Sequence, residues 1–303
     1  MVRSPALRFG ISPALVTPFR PDGAVDLDRL AAHADDCLVR GCRSVTLFGT
    51  TGEGPSIGAT ERDRVAAELV HRGLRPSSLV EGVIACSVEE AAFGTARALE
   101  RGVAAVLLAP PFYFRDAPDE ALVAWFTEVF RRVGPALRDI ILYHIPGMTG
   151  VPLSDDAVAR LKQTFPGAIT GVKDSAGDVG ATLDRIDAHR DLMILVGDES
   201  YLGRACAAGA AGSISGLANL APEAMARVAE SGRDDPRVAD LVTAVVAHPV
   251  GPMIKALLAR RRNDRAWALA RPPLPTLDDD VTRAVVPLVD RLADGAEFRP
   301  GSG

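Results

Sequence analysis

The chain has 303 residues, 48% of them hydrophobic, and a formal net charge of −5 at pH 7. That length and apolar content allow a large core and fit one large α/β barrel or two smaller domains. The acidic balance lacks a basic stripe beside aromatics, which excludes a nucleic-acid footprint, and Cys37, Cys42, Cys86 and Cys206 form no C-x-x-C pair and cluster with no histidine, which argues against a zinc site or a disulfide framework and for a reducing cytoplasm.

The opening MVRSPALRFGISPALV carries arginines but no apolar core suited to a signal peptide. No apolar run approaches the roughly twenty residues of a membrane span, so no membrane segment is expected. The first strand is read at ISPALVT from Ile11, and Asp26 then caps a helix running to about Arg40. SVTLFG from Ser44 is the second strand. It runs into the turn GTTGEG, after which Thr60 and Asp63 are read as a capping box. The third strand, LVEGVIA from Leu79, precedes a helix opened by Ser87 to Glu90 and closed by Gly102. AAVLLAP from Ala104, DIILYHI from Asp139, AITGVKD from Ala168, LMILVGD from Leu192 and GSISG from Gly212 complete eight strands. Helices are expected at 119–133, 154–165, 179–189, 201–208 and 222–231. From about Pro236 the pattern reads as helices with proline breaks.

Strands alternating with helices imply a parallel sheet, and eight such repeats imply a closed (β/α)₈ barrel over 1–235, with a C-terminal helical segment, 236–303, packed on it. No G-x-G-x-x-G follows the first strand, which weakens a dinucleotide-binding alternative.

Barrel chemistry sits at the C-terminal ends of the strands. There the sequence places Gly49-Thr50-Thr51-Gly52-Glu53, Tyr113, Tyr143-His144, Lys173-Asp174, Gly197-Asp198-Glu199 and Ile214. Lys173 stands out because only three of the 34 basic residues are lysine: Lys162, Lys173 and Lys255. Arginine stays charged, whereas a desolvated lysine can lose its proton and act as a nucleophile. Each residue also has a plainer reading. Tyr143 can be a core residue, Tyr113 loop packing, the glycine-rich turn a mere connection, His144 a loop histidine, and Asp198-Glu199 a helix cap. The turn lacks the G-K-[ST] ending of a phosphate loop, and five scattered histidines give a metal site little support. Taken together, an amine in an apolar barrel mouth beside a tyrosine can form a Schiff base with a 2-oxo acid, with no metal or other cofactor. Hydroxyls and turn amides suit the substrate carboxylate.

With GTTGE at 49–53, YHIPGMTG at 143–150 and GVKDSAGD at 171–178 in order, the chain resembles the dihydrodipicolinate synthase / N-acetylneuraminate lyase family of pyruvate-type class I aldolases over nearly its whole length. The resemblance implies that Lys173 is the Schiff-base lysine, Tyr143 the proton-shuttling tyrosine and Thr50 its relay partner. It further implies that Thr51 contacts the substrate carboxylate, that Tyr113 reaches a neighbouring subunit's site, and that Gly197 and Ile214 line the pocket; Gly49 is also expected among the substrate-binding residues. It implies pyruvate and an aldehyde as ligands and a homotetramer built as a pair of dimers.

The departures matter as well. True dihydrodipicolinate synthases carry an arginine where this chain has Met148, which offers neither charge nor donor. His144 replaces the usual Asn, and KDSAGD looks more like the catabolic members that cleave 4-hydroxy-2-oxo acids or 2-keto-3-deoxy sugar acids. His144, Met148 and Ser175 are therefore the expected specificity residues. The expected activity is aldol cleavage or condensation through an imine. The alternatives are a related dehydratase, dihydrodipicolinate synthase itself, and a retired barrel that binds a 2-oxo acid without turnover.

Overall fold

The computed structural model describes residues 9–293; the arginine-bearing start through residue 8 and residues 294–303 of the appended segment lie outside the described residues. Eight parallel strands form one sheet: β1 (Gly10–Pro13), β2 (Val45–Leu47), β3 (Leu79–Val83), β4 (Ala105–Leu108), β5 (Ile140–His144), β6 (Ile169–Asp174), β7 (Met193–Val196) and β8 (Gly212–Ser215). The hydrogen-bonded order is β1-β8-β7-β6-β5-β4-β3-β2, and a parallel bridge between Ala14 and Thr46 closes it into a barrel.

The helices of the barrel are α1 (Leu27–Val39), α2 (Ala59–His71), α3 (Val88–Arg101), α4 (Asp119–Val133), the single turn α5 (Pro146–Thr149), α6 (Asp155–Thr164), α7 (Val179–Ala188), α8 (Leu202–Ala208) and α9 (Pro222–Ser231). Among the described residues only helices and loops follow: α10 (Pro236–Val246), α11 (Val250–Arg261), α12 (Asp279–Arg283) and α13 (Val286–Ala293). No single helix is long and apolar enough to cross a membrane among the described residues.

Two apolar layers follow from the period-2 alternation of the strands. Inward residues such as Val80, Leu107, Ile141, Leu195 and Ile214 fill the barrel. Outward residues such as Val45, Val106, Leu142 and Val172 pack under the helices. Local signals set the helix ends. Asp26 accepts from the Arg29 amide, Ser87 accepts from the Glu90 amide, and Gly102 closes α3 at φ 81°, as the sequence implies.

Two expectations need correction. The first strand ends at Pro13, well short of Thr17. The capping box at Thr60 and Asp63 does not form: α2 starts after Gly58 with no side-chain cap, because Asp63 is drawn to Arg101 and Arg97 on the neighbouring helix.

The seam between β1 and β8 is held by a buried polar cluster. Asn219 accepts from the Val16 amide and donates to the carbonyls of Ala14 and Gly216. His33 of α1 completes it. Arg262 donates to His33 Nδ1 at 2.9 Å, so His33 carries its proton on Nε2 and donates to Asn219 Oδ1 at 3.0 Å. Burial, and then the Arg262 charge, push the His33 pKa down to about 4.

This predicts an acid-side loss of stability. The folded pKa lies below the ordinary 6.5, so the unfolded chain takes up the proton first. The contribution is complete above pH 6.5 and is withdrawn as the pH falls toward 4, by about 3 kcal/mol in all. In urea unfolding across this window, His33→Gln should begin less stable at neutral pH but lose stability less steeply than the parent. Parallel slopes would show that His33 is not the group responsible.

Candidate active site

The register of β5 against β6 creates the central pair. Tyr143 lies opposite Lys173, so both side chains point into the barrel, while His144 and Asp174, the next pair, point outward. That phase depends on a one-residue shift. Ile140 pairs with Ile169, but Ile141 pairs with Gly171. Carried through without the shift, the pairing would set Val172 opposite Tyr143. Lys173 is 4% exposed, and its Nζ donates to Tyr143 Oη at 3.2 Å and stands 4.5 Å from the tyrosine ring centroid. The Thr50 hydroxyl lies 3.3 Å from the same Oη, so amine, phenol and hydroxyl form one hydrogen-bonded chain.

Thr50 and Thr51 are held by the tight turn after β2. Its geometry needs glycine at position 54, where a Cβ would fall 1.8 Å from the Phe48 carbonyl oxygen. Glu53 adopts φ 58°, a left-handed conformation uncommon for a non-glycine residue. The buried partners of its carboxylate hold it there. Oε1 accepts from Lys255 Nζ at 2.6 Å, and Oε2 accepts from the Arg271 amide at 2.9 Å. Lys255, on α11, is 0% exposed, and its ammonium lies 4.4 Å from the Phe19 ring centroid. Burial lowers its pKa, and the Glu53 carboxylate opposes that fall. Sequence reasoning assigned no role to Lys255 or Arg271.

A second buried network backs β6. Asp174 accepts from the Ala176 amide, the Thr182 hydroxyl and Arg185. Arg185 also bonds Asp155 and the Leu153 carbonyl, and the Leu153 amide donates to His144 Nδ1. His144 therefore belongs to this outer layer. It does not line the cavity, which corrects its expected place among the specificity residues, and burial lowers its pKa. Asp198 behaves as a cap, accepting from the Ser200 amide. Glu199 does not: its Oε1 accepts from Ser215 Oγ at 2.6 Å and from the Leu217 amide at 3.0 Å, and burial raises its pKa.

These residues open onto a cavity of about 530 Å³. Of the residues expected there, Thr50, Thr51, Tyr143, Met148, Lys173, Ser175, Gly197 and Ile214 line it. A Cβ at Gly197 would meet Ser175 Oγ at 2.0 Å, which explains the glycine. Met148 is 65% exposed at the mouth. Gly49 is not a lining residue; its carbonyl accepts from the Gly54 amide and so helps close the turn. Tyr113 is not brought to the cavity of its own chain. It is 77% exposed and packs edge-on against Phe114. Sequence reasoning missed the far wall, which comes from α10, α11 and the segment at Leu274. The apolar spacing of those helices reads equally well as ordinary core.

The chain matches the sequence profile described as the dihydrodipicolinate synthetase family over residues 8–291. It is 32% identical over 281 residues to an uncharacterized DapA-like lyase of Chloroflexus aurantiacus, covering 90% of this chain and 93% of the relative. Among solved structures, it is similar to a dihydrodipicolinate synthase from Agrobacterium tumefaciens str. C58, with 44% identity, a TM-score of 0.91, and coverage of 96% of this chain and 100% of that one. It is also similar to the chloride-inhibited dihydrodipicolinate synthase from Acinetobacter baumannii complexed with pyruvate. There the identity is 27% and the TM-score 0.82, with coverage of 94% and 99%.

The buried Glu53–Lys255 pair yields a stability prediction. Lys255→Met strands a carboxylate with no exposed surface, at a cost of about 3–5 kcal/mol. Adding Glu53→Gln to that variant should restore part of the loss. Denaturant unfolding of the two variants and the parent reads both effects, and an unchanged midpoint in Lys255→Met would remove the pair as the anchor of the turn.

Proposed function

The chain belongs to the dihydrodipicolinate synthetase family, and from that premise we propose that it is a class I aldolase or lyase working through an imine between Lys173 and pyruvate or a related 2-oxo acid. The observation that carries the reading is the buried Lys173 Nζ, 3.2 Å from Tyr143 Oη, at the floor of an open cavity.

In the forward direction the unprotonated Nζ attacks the C2 carbonyl carbon, and the carbonyl oxygen takes a proton to give a carbinolamine. Tyr143 is placed to move that proton and a second one to the departing hydroxyl, which leaves as water and gives the imine. Thr50, within hydrogen-bond reach of Tyr143, continues the relay. The imine acts as an electron sink. A proton leaves C3, and the enamine attacks an aldehyde carbon to form the new carbon–carbon bond as the aldehyde C=O π bond opens to an alkoxide that takes up a proton. Water then hydrolyses the regenerated imine at its C=N bond, freeing the 2-oxo product and the Lys173 amine. Cleavage runs the same steps in reverse. Thr51 and Ser175, both lining the cavity, supply hydroxyl donors for the substrate carboxylate. Tyr113, exposed on this chain, is proposed to complete a neighbouring subunit's site in a homotetramer.

A second reading, condensation of pyruvate with aspartate semialdehyde, is favoured by the 44% identity to a dihydrodipicolinate synthase structure. Against it stands Met148 at the cavity mouth, where a thioether can make no charge-assisted contact with a carboxylate.

Borohydride reduction in the presence of pyruvate, followed by intact mass and peptide mapping, tests the imine. A reduced adduct is expected on the peptide containing Lys173, and none in Lys173→Ala. Tyr143→Phe should keep its fold and lower the rate of imine formation by roughly 10²–10⁴-fold. A folded protein that yields no adduct with any 2-oxo acid would leave the retired-barrel reading in place. Turnover of aspartate semialdehyde, read as pyruvate consumption, decides between the two enzymatic readings.

A further inference from the structure

The cavity is far larger than a three-carbon acid, and its walls differ in chemistry. Around Lys173 the lining is polar, with Thr50, Thr51, Tyr143 and Ser175. The far wall is built by the α10–α11 corner, where the two helices meet at 111°. Val242, Val245 and Val246 of α10, at i, i+3 and i+4, present one apolar stripe. Val250 and Ile254 of α11, at i and i+4, present another, and Leu274 joins them.

Charge is as informative as shape. Among the described residues, Lys173 is the only lysine or arginine lining the cavity. The two lining carboxylates, Glu53 and Glu199, are committed to Lys255 with the Arg271 amide and to Ser215 with the Leu217 amide, respectively. With Lys173 in the imine, no lysine or arginine side chain remains among the described lining residues to pair with an anionic second substrate. From this chain, His248 and Ser56 are the remaining polar side chains beyond the lysine's surroundings, and even with one tyrosine hydroxyl from a neighbouring subunit they are too few to satisfy a chain of hydroxyls.

We propose that the partner of the 2-oxo acid is an aldehyde bearing an uncharged apolar body, branched aliphatic or aryl, which the valine-lined lobe takes out of water. This rests on the imine reading above and narrows it. A buried hydroxyl without a partner is penalised, whereas each added methylene in such a lobe improves discrimination. Met148 continues the same chemistry to the mouth, where it is a polarisable apolar group.

The test pairs two readouts on the full chain. Borohydride trapping with pyruvate reports the imine. The kcat/KM for isobutyraldehyde and benzaldehyde, set against glyceraldehyde and aspartate semialdehyde with pyruvate saturating, reports the lobe. The expected result is an adduct on Lys173 together with a preference of at least about tenfold for the apolar aldehydes. Val246 is 60% exposed, so Val246→Asp should fold; it should raise the KM for isobutyraldehyde about tenfold. Val39→Asp, on the exposed face of α1, serves as the control. An adduct combined with a preference for glyceraldehyde or aspartate semialdehyde overturns this inference and leaves the imine reading standing. So does an unchanged KM in Val246→Asp. Absence of any adduct overturns both.

Discussion

The pairing of Lys255 with Glu53 joins two parts of the chain that are distant in sequence. An ammonium on α11 and a carboxylate in the turn after β2 meet with no access to water. Each is costly to bury alone, so each requires the other, and the helix and the turn are obliged to dock. The turn in turn carries Thr50 and Thr51. The C-terminal helices therefore take part in shaping the site rather than merely covering the barrel. Arg271 reinforces the link: its amide bonds Glu53, its guanidinium bonds Glu61 at the start of α2, and it lies over the same Phe19 ring as Lys255.

Behind Lys173 a different device operates. A strand end is ordinarily free to fray, but Asp174 holds β6 through Arg185, Thr182 and its own turn. The network reaches Leu153 and His144 and so ties β6 to β5 a second time, beyond the ladder. The inner face of these two strands holds the Lys173–Tyr143 pair, and the outer face holds it still. Precise placement of an amine against a phenol depends on such support, because catalytic geometry tolerates little slack.

Much of this was legible in the sequence, for identifiable reasons. Barrel strands are buried on both faces, so they read as short apolar runs, and all eight were recognisable. The scarcity of lysine singled out Lys173. The same argument applies to Lys255, set in the apolar run VGPMIKALLA, but its partner lies some two hundred residues away and no local pattern announces such a pair. Lys162, by contrast, is an ordinary surface lysine paired with Asp191. His144 was misplaced although strand alternation contains the answer: if Tyr143 faces inward, its neighbour faces out. Glu199 was hidden by its neighbour, since two adjacent acids before a helix both suggest a cap and only Asp198 serves as one. The far wall of the cavity was hidden because a helix stripe that faces a ligand and one that faces a core have the same spacing.

The corner between α10 and α11 divides the cavity wall into two halves with different freedom to vary. Val250 and Ile254 share a helix with Lys255, so moving them to reshape the lobe would also strain the ion pair and the turn that carries Thr50 and Thr51. Val242, Val245 and Val246 lie on α10, which takes no part in that ion pair and packs instead against the segment at 199–201. If the proposed function holds, divergence in acceptor choice should accumulate on α10, while α11 stays constrained by the ion pair that fixes the turn after β2.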